Sequence, residues 1–329
     1  MSRVAVVFLG GTISAAWDPV AGGNVPKLDG AAILARTPGL DRVAEVVAID
    51  LARTPASHLT LGRLLEIGGT IQEAADDPRV DGVVVVQGTD SIEETAFAWD
   101  LVLTTPKPVV VTGAMRSSSE LGYDGPANIL DAVRAAASPA LRDEGVTVLL
   151  AGAIHAADDV LKTHASSLTT FQSPNLGALG SVIGERVLVS RHRAGRRHVA
   201  TRAAAEPVFL ITATIGMDGA LLDAAIALGA RGIVVAATGA GNTSAGLLDA
   251  GQRAIAAGIP VVLVTRTPAG RAGTAYAFRG GGATWIRAGA MLGGSLSGPK
   301  ARVALSFGVG AGLDAAALAA LLVDPEEAG

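Results

Sequence analysis

Six strand-length runs rich in Val, Ile and Leu, without polar alternation, constrain this chain most: residues 4–9, 83–86, 109–112, 146–150, 233–236 and 261–264. Continuous apolar runs of this length suit parallel strands covered on both faces. Small or hydroxyl residues close them, in Gly10-Gly11-Thr12, Gln87-Gly88-Thr89-Asp90, Thr112-Gly113-Ala114, Ala237-Thr238-Gly239 and Thr265-Arg266-Thr267-Pro268. Polar groups therefore collect at strand carboxyl ends, the edge where open α/β sheets bind ligands. Between the runs the period changes. Ile92, Ala96, Trp99 and Leu103 share one face of a predicted helix opening just after Asp90, and Pro126 suits the first turn of another. Alternating strands and helices predict an α/β protein, with mostly parallel sheets flanked by helices.

At 329 residues there is room for two domains. The stretch holding Arg191, His192, Arg193, Arg196, Arg197 and His198 has little apolar periodicity and no interleaved aromatic residue. It reads as a solvated linker over 191–206, between a domain over 1–190 and a smaller α/β domain over 207–329. Only 17% of residues are charged, against ~25% in typical soluble proteins, and 50% are hydrophobic. Such a chain buries a large core, which excludes the disordered class. A net charge of −4 supplies no field for polyanions. No apolar stretch reaches the ~18–20 residues that span a bilayer. Neither nucleic acid nor membrane is expected as a partner. The first residues read as a buried strand rather than a signal peptide, so a cytoplasmic location is expected. The absence of cysteine removes disulfides, thiolate metal sites and cysteine nucleophiles.

Several chemistries fail on spacing. The five histidines form no HExxH pair, no acid cluster has metal-ligand spacing, and neither GxGxxG after the first strand nor GxSxG is present. Pro299 breaks the near phosphate loop at 293–300 by removing an amide donor. No metal or cofactor is expected. What survives is a threonine after glycine at two strand ends, Gly11-Thr12 and Gly88-Thr89, the second joined to Asp90. Glycines there let a substrate approach the backbone and leave amide N–H groups for a developing oxyanion. A hydroxyl so placed attacks a carbonyl once something takes its proton. For either threonine alone the helix cap is the better reading. Two together, one beside a carboxylate, favour a site.

With these residues in place, the chain resembles the bacterial L-asparaginase/glutaminase amidohydrolase family along nearly its whole length. The likeness rests on Gly10-Gly11-Thr12-Ile13 and on residues 87–96, QGTDSIEETA, which resemble the family's HGTDTxEETA signature. It continues through Val111-Thr112-Gly113-Ala114-Met115-Arg116, Asp124-Gly125-Pro126-Ala127-Asn128, Asp159-Val160-Leu161-Lys162-Thr163, Thr170-Phe171-Gln172-Ser173 and Pro299-Lys300-Ala301-Arg302. The resemblance implies a two-domain asparaginase-like fold, a homodimer or homotetramer with sites between subunits, and a small-molecule amide substrate. It implies Thr12 as the nucleophile that forms an acyl-enzyme and releases ammonia. Thr89, Asp90 and Lys162 are implied as the companion relay, with Thr89 positioning water, Lys162 exchanging its proton and Asp90 binding the α-ammonium. Gly11, Ser57, His58, Gly88, Ala114 and Asn242 are the implied substrate-binding positions. An ordinary lysine is protonated at neutral pH and is a poor base.

Three departures fall on the groups that grip an α-amino acid. The family's lid carries a Tyr, but residues 14–29 contain none, and Trp17 has no hydroxyl proton to exchange. The family's Ser-Gln pair corresponds most simply to Ser57-His58, where an imidazole in place of the amide changes the charge logic. Secreted members take a Glu from the neighbouring subunit, whereas here no Asp or Glu lies between Asp249 and Asp314, although Asn242 matches the family's partner-subunit Asn. The expectation is an asparaginase-family amidohydrolase acting on L-asparagine or a related small amide, its acyl-transfer chemistry kept and its specificity drifted. The alternatives are a hydrolase of a small lactam or lactone on the same scaffold and, from another class, a non-catalytic small-molecule-binding protein. A nucleotide-binding α/β protein is disfavoured by the absent phosphate-binding motifs.

Overall fold

The computed structural model describes residues 1–325, so the last four positions of the expected second domain lie outside the described residues. The chain divides into two compact units, Met1–Arg193 and a second beginning at Ala194.

The first unit contains β1 (Ser2–Phe8), β2 (Ala15–Asp18), β3 (Gly23–Pro26), α1 (Gly30–Ala35), β4 (Ala44–Asp50), α2 (Leu61–Asp76), β5 (Gly82–Val86) and α3 (Ile92–Val102). It continues with β6 (Val109–Thr112), α4 (Gly125–Ala136), β7 (Val146–Leu150), β8 (Ala153–Ala156), β9 (Leu161–Lys162), β10 (Phe171–Gln172), β11 (Gly180–Ile183) and β12 (Arg186–Val189). Eight strands form one sheet in the order β12-β11-β8-β7-β6-β5-β1-β4. From β4 to β7 the pairing is parallel, and from β7 through β8 and β11 to β12 it is antiparallel. The uninterrupted apolar runs are the buried parallel strands: β5, β6 and β7 are buried along every residue. The helix face picked out by Ile92, Ala96, Trp99 and Leu103 is buried, and the Trp99 indole N–H donates to the Leu64 carbonyl at 3.0 Å. Hydrophobic burial on both faces of a parallel sheet is what a charge-poor, Val-rich chain supplies best.

The second unit contains β13 (Val208–Thr212), α5 (Ala220–Ala227), β14 (Gly232–Ala237), α6 (Ala245–Ala256), β15 (Val261–Thr265), α7 (Gly282–Arg287), β16 (Met291–Leu292), α8 (Gly298–Gly310) and α9 (Ala315–Leu322). Its four strands pair in parallel in chain order.

The 191–206 stretch carries no helix or strand, and two of its arginine side chains turn inward. The Arg193 side chain is buried and holds Asp100 of α3 through two hydrogen bonds of 3.1 and 2.9 Å, with a third, 2.8 Å, to Asp158. Burial alone would lower the guanidinium pKa, but Asp100 and Asp158 outweigh it and raise the value. Arg197 is likewise buried, paired with Asp324 of the second unit. Buried arginines are tolerated where carboxylates neutralise them, and those partners lie tens of residues away in the chain.

His155 of β8 is also buried, with its Nδ1 2.9 Å from the Ser173 hydroxyl. Burial, helped by Arg191 and opposed by Asp159, pushes its pKa from 6.5 down to about 4. The native state therefore refuses a proton that the unfolded chain takes up between these values. The resulting stability is complete above pH 6.5 and is lost as the pH falls towards 4, by about 3 kcal/mol in all. Urea unfolding between pH 7 and pH 4 is expected to show this slope, and H155Q to flatten it; an unchanged slope in the variant disproves the assignment.

Candidate active site

The carboxyl ends of β1 and β5 are neighbours in the sheet, with Phe8 opposite Val86 and the Leu9 N–H donating to the Val86 carbonyl at 2.9 Å. A glycine follows shortly after each strand, Gly11 after β1 and Gly88 after β5, and the two glycines touch. A Cβ built on Gly11 would lie 2.2 Å from both the N and the Cα of Gly88, and Gly11 has φ +94°. No side chain fits that contact, and L residues rarely adopt that backbone conformation. Two single turns of 3-10 helix start from these glycines, Thr12–Ser14 and Thr89–Ser91, and neither has a side-chain cap. The helix-cap reading of the two threonines is thereby corrected: glycines occupy the cap positions, because only they allow the two chains to meet.

Thr12 is half-buried, and Thr89 is buried. The Lys162 ammonium donates to the Thr89 hydroxyl at 3.0 Å and to Asp90 Oδ1 at 2.8 Å. Its side chain is 14% exposed, whereas that of Asp90 is 76% exposed, so the lysine is enclosed and its counter-ion faces outward. Lys162 reaches this position because its own backbone N–H donates to Glu93 Oε2 at 2.8 Å, tying β9 to α3. Asp159 secures the same segment by accepting from the Asn175 and Leu176 backbones. The surrounding motif residues thus build a mount for one amine.

The other expected site positions divide between the two units. Ser57 and His58 are exposed in the turn Ala56–His58. That turn lies against Gly88, since a Cβ there would come 3.1 Å from Ala56 Cβ, and the Ser91 hydroxyl donates to the Ala56 carbonyl. Ala114 is buried just beyond β6, where a Cβ on the preceding Gly113 would stand 3.2 Å from Thr89 Cγ2. Asp124 holds that turn by accepting from the Met115 and Arg116 N–H groups, and Asn128 donates to the Gly113 carbonyl. Asn242 belongs to the second unit, in a turn closed by the Thr238 hydroxyl on its carbonyl, and its Oδ1 is buried without a partner. Two supporting residues escaped the sequence reading. Glu93 lies inside a quoted motif without an assigned role, and Tyr123 donates its hydroxyl to the Ile13 carbonyl at 2.7 Å. Only the first had any local signal.

Chemically, the arrangement offers a hydroxyl on a turn beside a second hydroxyl, a lysine and a carboxylate, around strand ends stripped of side chains. Comparisons with known proteins give the family. The family described as "Asparaginase, N-terminal" matches residues 3–194, and "Glutaminase/Asparaginase C-terminal domain" matches 207–322. The chain is 34% identical over 316 residues to a probable L-asparaginase of Deinococcus radiodurans, covering 93% of this chain and 92% of that protein. It is 35% identical over 233 residues to a probable periplasmic L-asparaginase of Haemophilus influenzae, covering 69% and 65%. The crystal structure of a probable cytoplasmic L-asparaginase from Campylobacter jejuni matches with a TM-score of 0.87 at 26% identity, covering 98% of this chain and 99% of that one. With both parts of the family matched in order and the fold shared over nearly the whole length, the chain belongs to the asparaginase family and is a hydrolase of that family.

Proposed function

We propose that the protein hydrolyses the side-chain amide of a small molecule, L-asparagine or a related ω-amide, through an acyl-enzyme on Thr12. The Gly11–Gly88 contact carries this reading, because it sets the Thr12 turn beside the Thr89–Lys162–Asp90 cluster. Thr12 Oγ1 bonds to the amide carbon, its proton passes to the departing nitrogen as the C–N bond breaks and ammonia leaves, and water then cleaves the ester to the free acid and restores the Thr12 hydroxyl. Thr89 positions that water, with Lys162 exchanging the Thr89 proton and Asp90 balancing the lysine's charge and meeting a substrate ammonium. Substrate lies among Gly11, Gly88, Ala114, Ser57 and His58. Asn242 serves the site of a second subunit in a homodimer or homotetramer, and its unpartnered Oδ1 is the acceptor such a contact requires. The cytoplasmic setting belongs to this reading, supported by the likeness to the Campylobacter protein.

Initial rates on L-asparagine, L-glutamine, succinamate and a lactone panel test it. A site built to pair an ammonium rejects the analogue lacking it by ~10⁴. Here kcat/KM for succinamate is expected within about tenfold of that for L-asparagine, since acidic partners for the amine are few. A ratio above about 10³ in favour of L-asparagine defeats the drift in specificity. Ligand binding without turnover of any amide or lactone makes the protein a binder instead.

A further inference from the structure

The turn that carries Thr12 is held from outside by one segment. Between β6 and α4, residues 117–123 run beside the start of the β2–β3 hairpin and bond to it at alternate residues. The Tyr123 hydroxyl donates to the Ile13 carbonyl at 2.7 Å, the Ser118 N–H and hydroxyl both donate to the Ala15 carbonyl, and the Trp17 N–H donates to the Ser119 hydroxyl. The segment is itself cross-tied. Glu120 accepts from the Ser117 N–H, Arg116 donates to the Leu121 and Gly122 carbonyls, and Asp124 accepts from two backbone N–H groups.

Tyr123 is its inner end. The ring packs on the cluster containing Ile13, and the first residue of α4 is glycine, where a Cβ would come 2.3 Å from the Tyr123 hydroxyl. Its pKa is pushed up to about 12 by burial and by Asp124, with Arg36 opposing, so at neutral pH it is a donor and not a base. On the other flank of Thr12, the Gly11 carbonyl accepts from both the N–H and the hydroxyl of Ser14. Thr12 therefore stands between two fixed carbonyls, and one of them depends on a side chain 110 residues away.

We infer that Tyr123 is a positioning residue for the Thr12 nucleophile, acting through the Ile13 carbonyl. The inference rests on Thr12 being the nucleophile. Because misplacement of a reacting group by about 1 Å costs up to ~10²-fold in rate, Y123F is expected to lower kcat by about 10- to 100-fold on L-asparagine and succinamate. KM should stay within about threefold, since the substrate-binding groups are untouched. G125A, which keeps the hydroxyl but displaces the ring, is expected to act in the same direction, and the double variant to be no worse than Y123F. A kcat for Y123F within twofold of wild type overturns the inference, as does a rise in KM matching the fall in kcat. A wild type inactive on every amide sinks the proposed function and this inference with it, whereas an active wild type with an equally active Y123F sinks only the inference.

Discussion

Thr12→Ala is expected to lose amide hydrolysis almost completely, with kcat down by on the order of 10⁴- to 10⁶-fold, the range seen when a covalent nucleophile is removed. The hydroxyl is the atom that becomes bonded to the acyl carbon, so no neighbour substitutes for it while bound substrate is held as before. KM should therefore change far less than kcat. Its turn is set by backbone contacts of Gly11, Ile13 and Ser14 rather than by the threonine side chain, so the variant folds with a melting temperature close to wild type. Adding Lys162→Met to Thr12→Ala should cost little more, because groups that act as a unit are strongly non-additive. Stopped assays of ammonia release over hours decide the matter. Turnover by Thr12→Ala within tenfold of wild type removes Thr12 from the chemistry and leaves Thr89 as the hydroxyl to examine.

Gly11→Ala is expected to damage the site severely without any change in its chemical groups. The new Cβ would lie 2.2 Å from two backbone atoms of Gly88, and the backbone at residue 11 sits at φ +94°. Holding a non-glycine residue in such a region costs on the order of 1–3 kcal/mol, and the overlap is with main chain, which has no rotamer to yield. The β1 and β5 ends must then part, carrying Thr12 away from Thr89. A fall in kcat of about 10²-fold follows from a shift of roughly 1 Å. Stability should drop in parallel, read as a lower urea midpoint. Near wild-type kcat in Gly11→Ala would show that the contact between the two glycines is not what aligns the hydroxyls.

The legible parts of this protein are those whose signal is local. Val83 to Val86 and Val109 to Thr112 announce buried parallel strands because both faces demand apolar residues, and the Ile92 face announces α3 for the same reason. Strands β8, β11 and β12 are only four residues long, and β11 and β12 are partly exposed, so their antiparallel extension of the sheet left no pattern to read. Arg193 looked like a solvent-exposed charge because Asp100 and Asp158 are 93 and 35 residues distant. A charge is assigned to the surface unless its neutralising partner is known, and the partner is a tertiary fact.

Residue types and their order along the chain settled which groups stand at strand ends: glycine, threonine and aspartate where parallel strands run out, with a lysine further on. Short-range periodicity and burial dictate that much. Folding alone decided that Gly11 lies on Gly88, that Glu93 holds the Lys162 backbone and that Tyr123 reaches Ile13. Those contacts join segments 69 to 110 residues apart, and such distances close only when hydrophobic burial brings the whole sheet together.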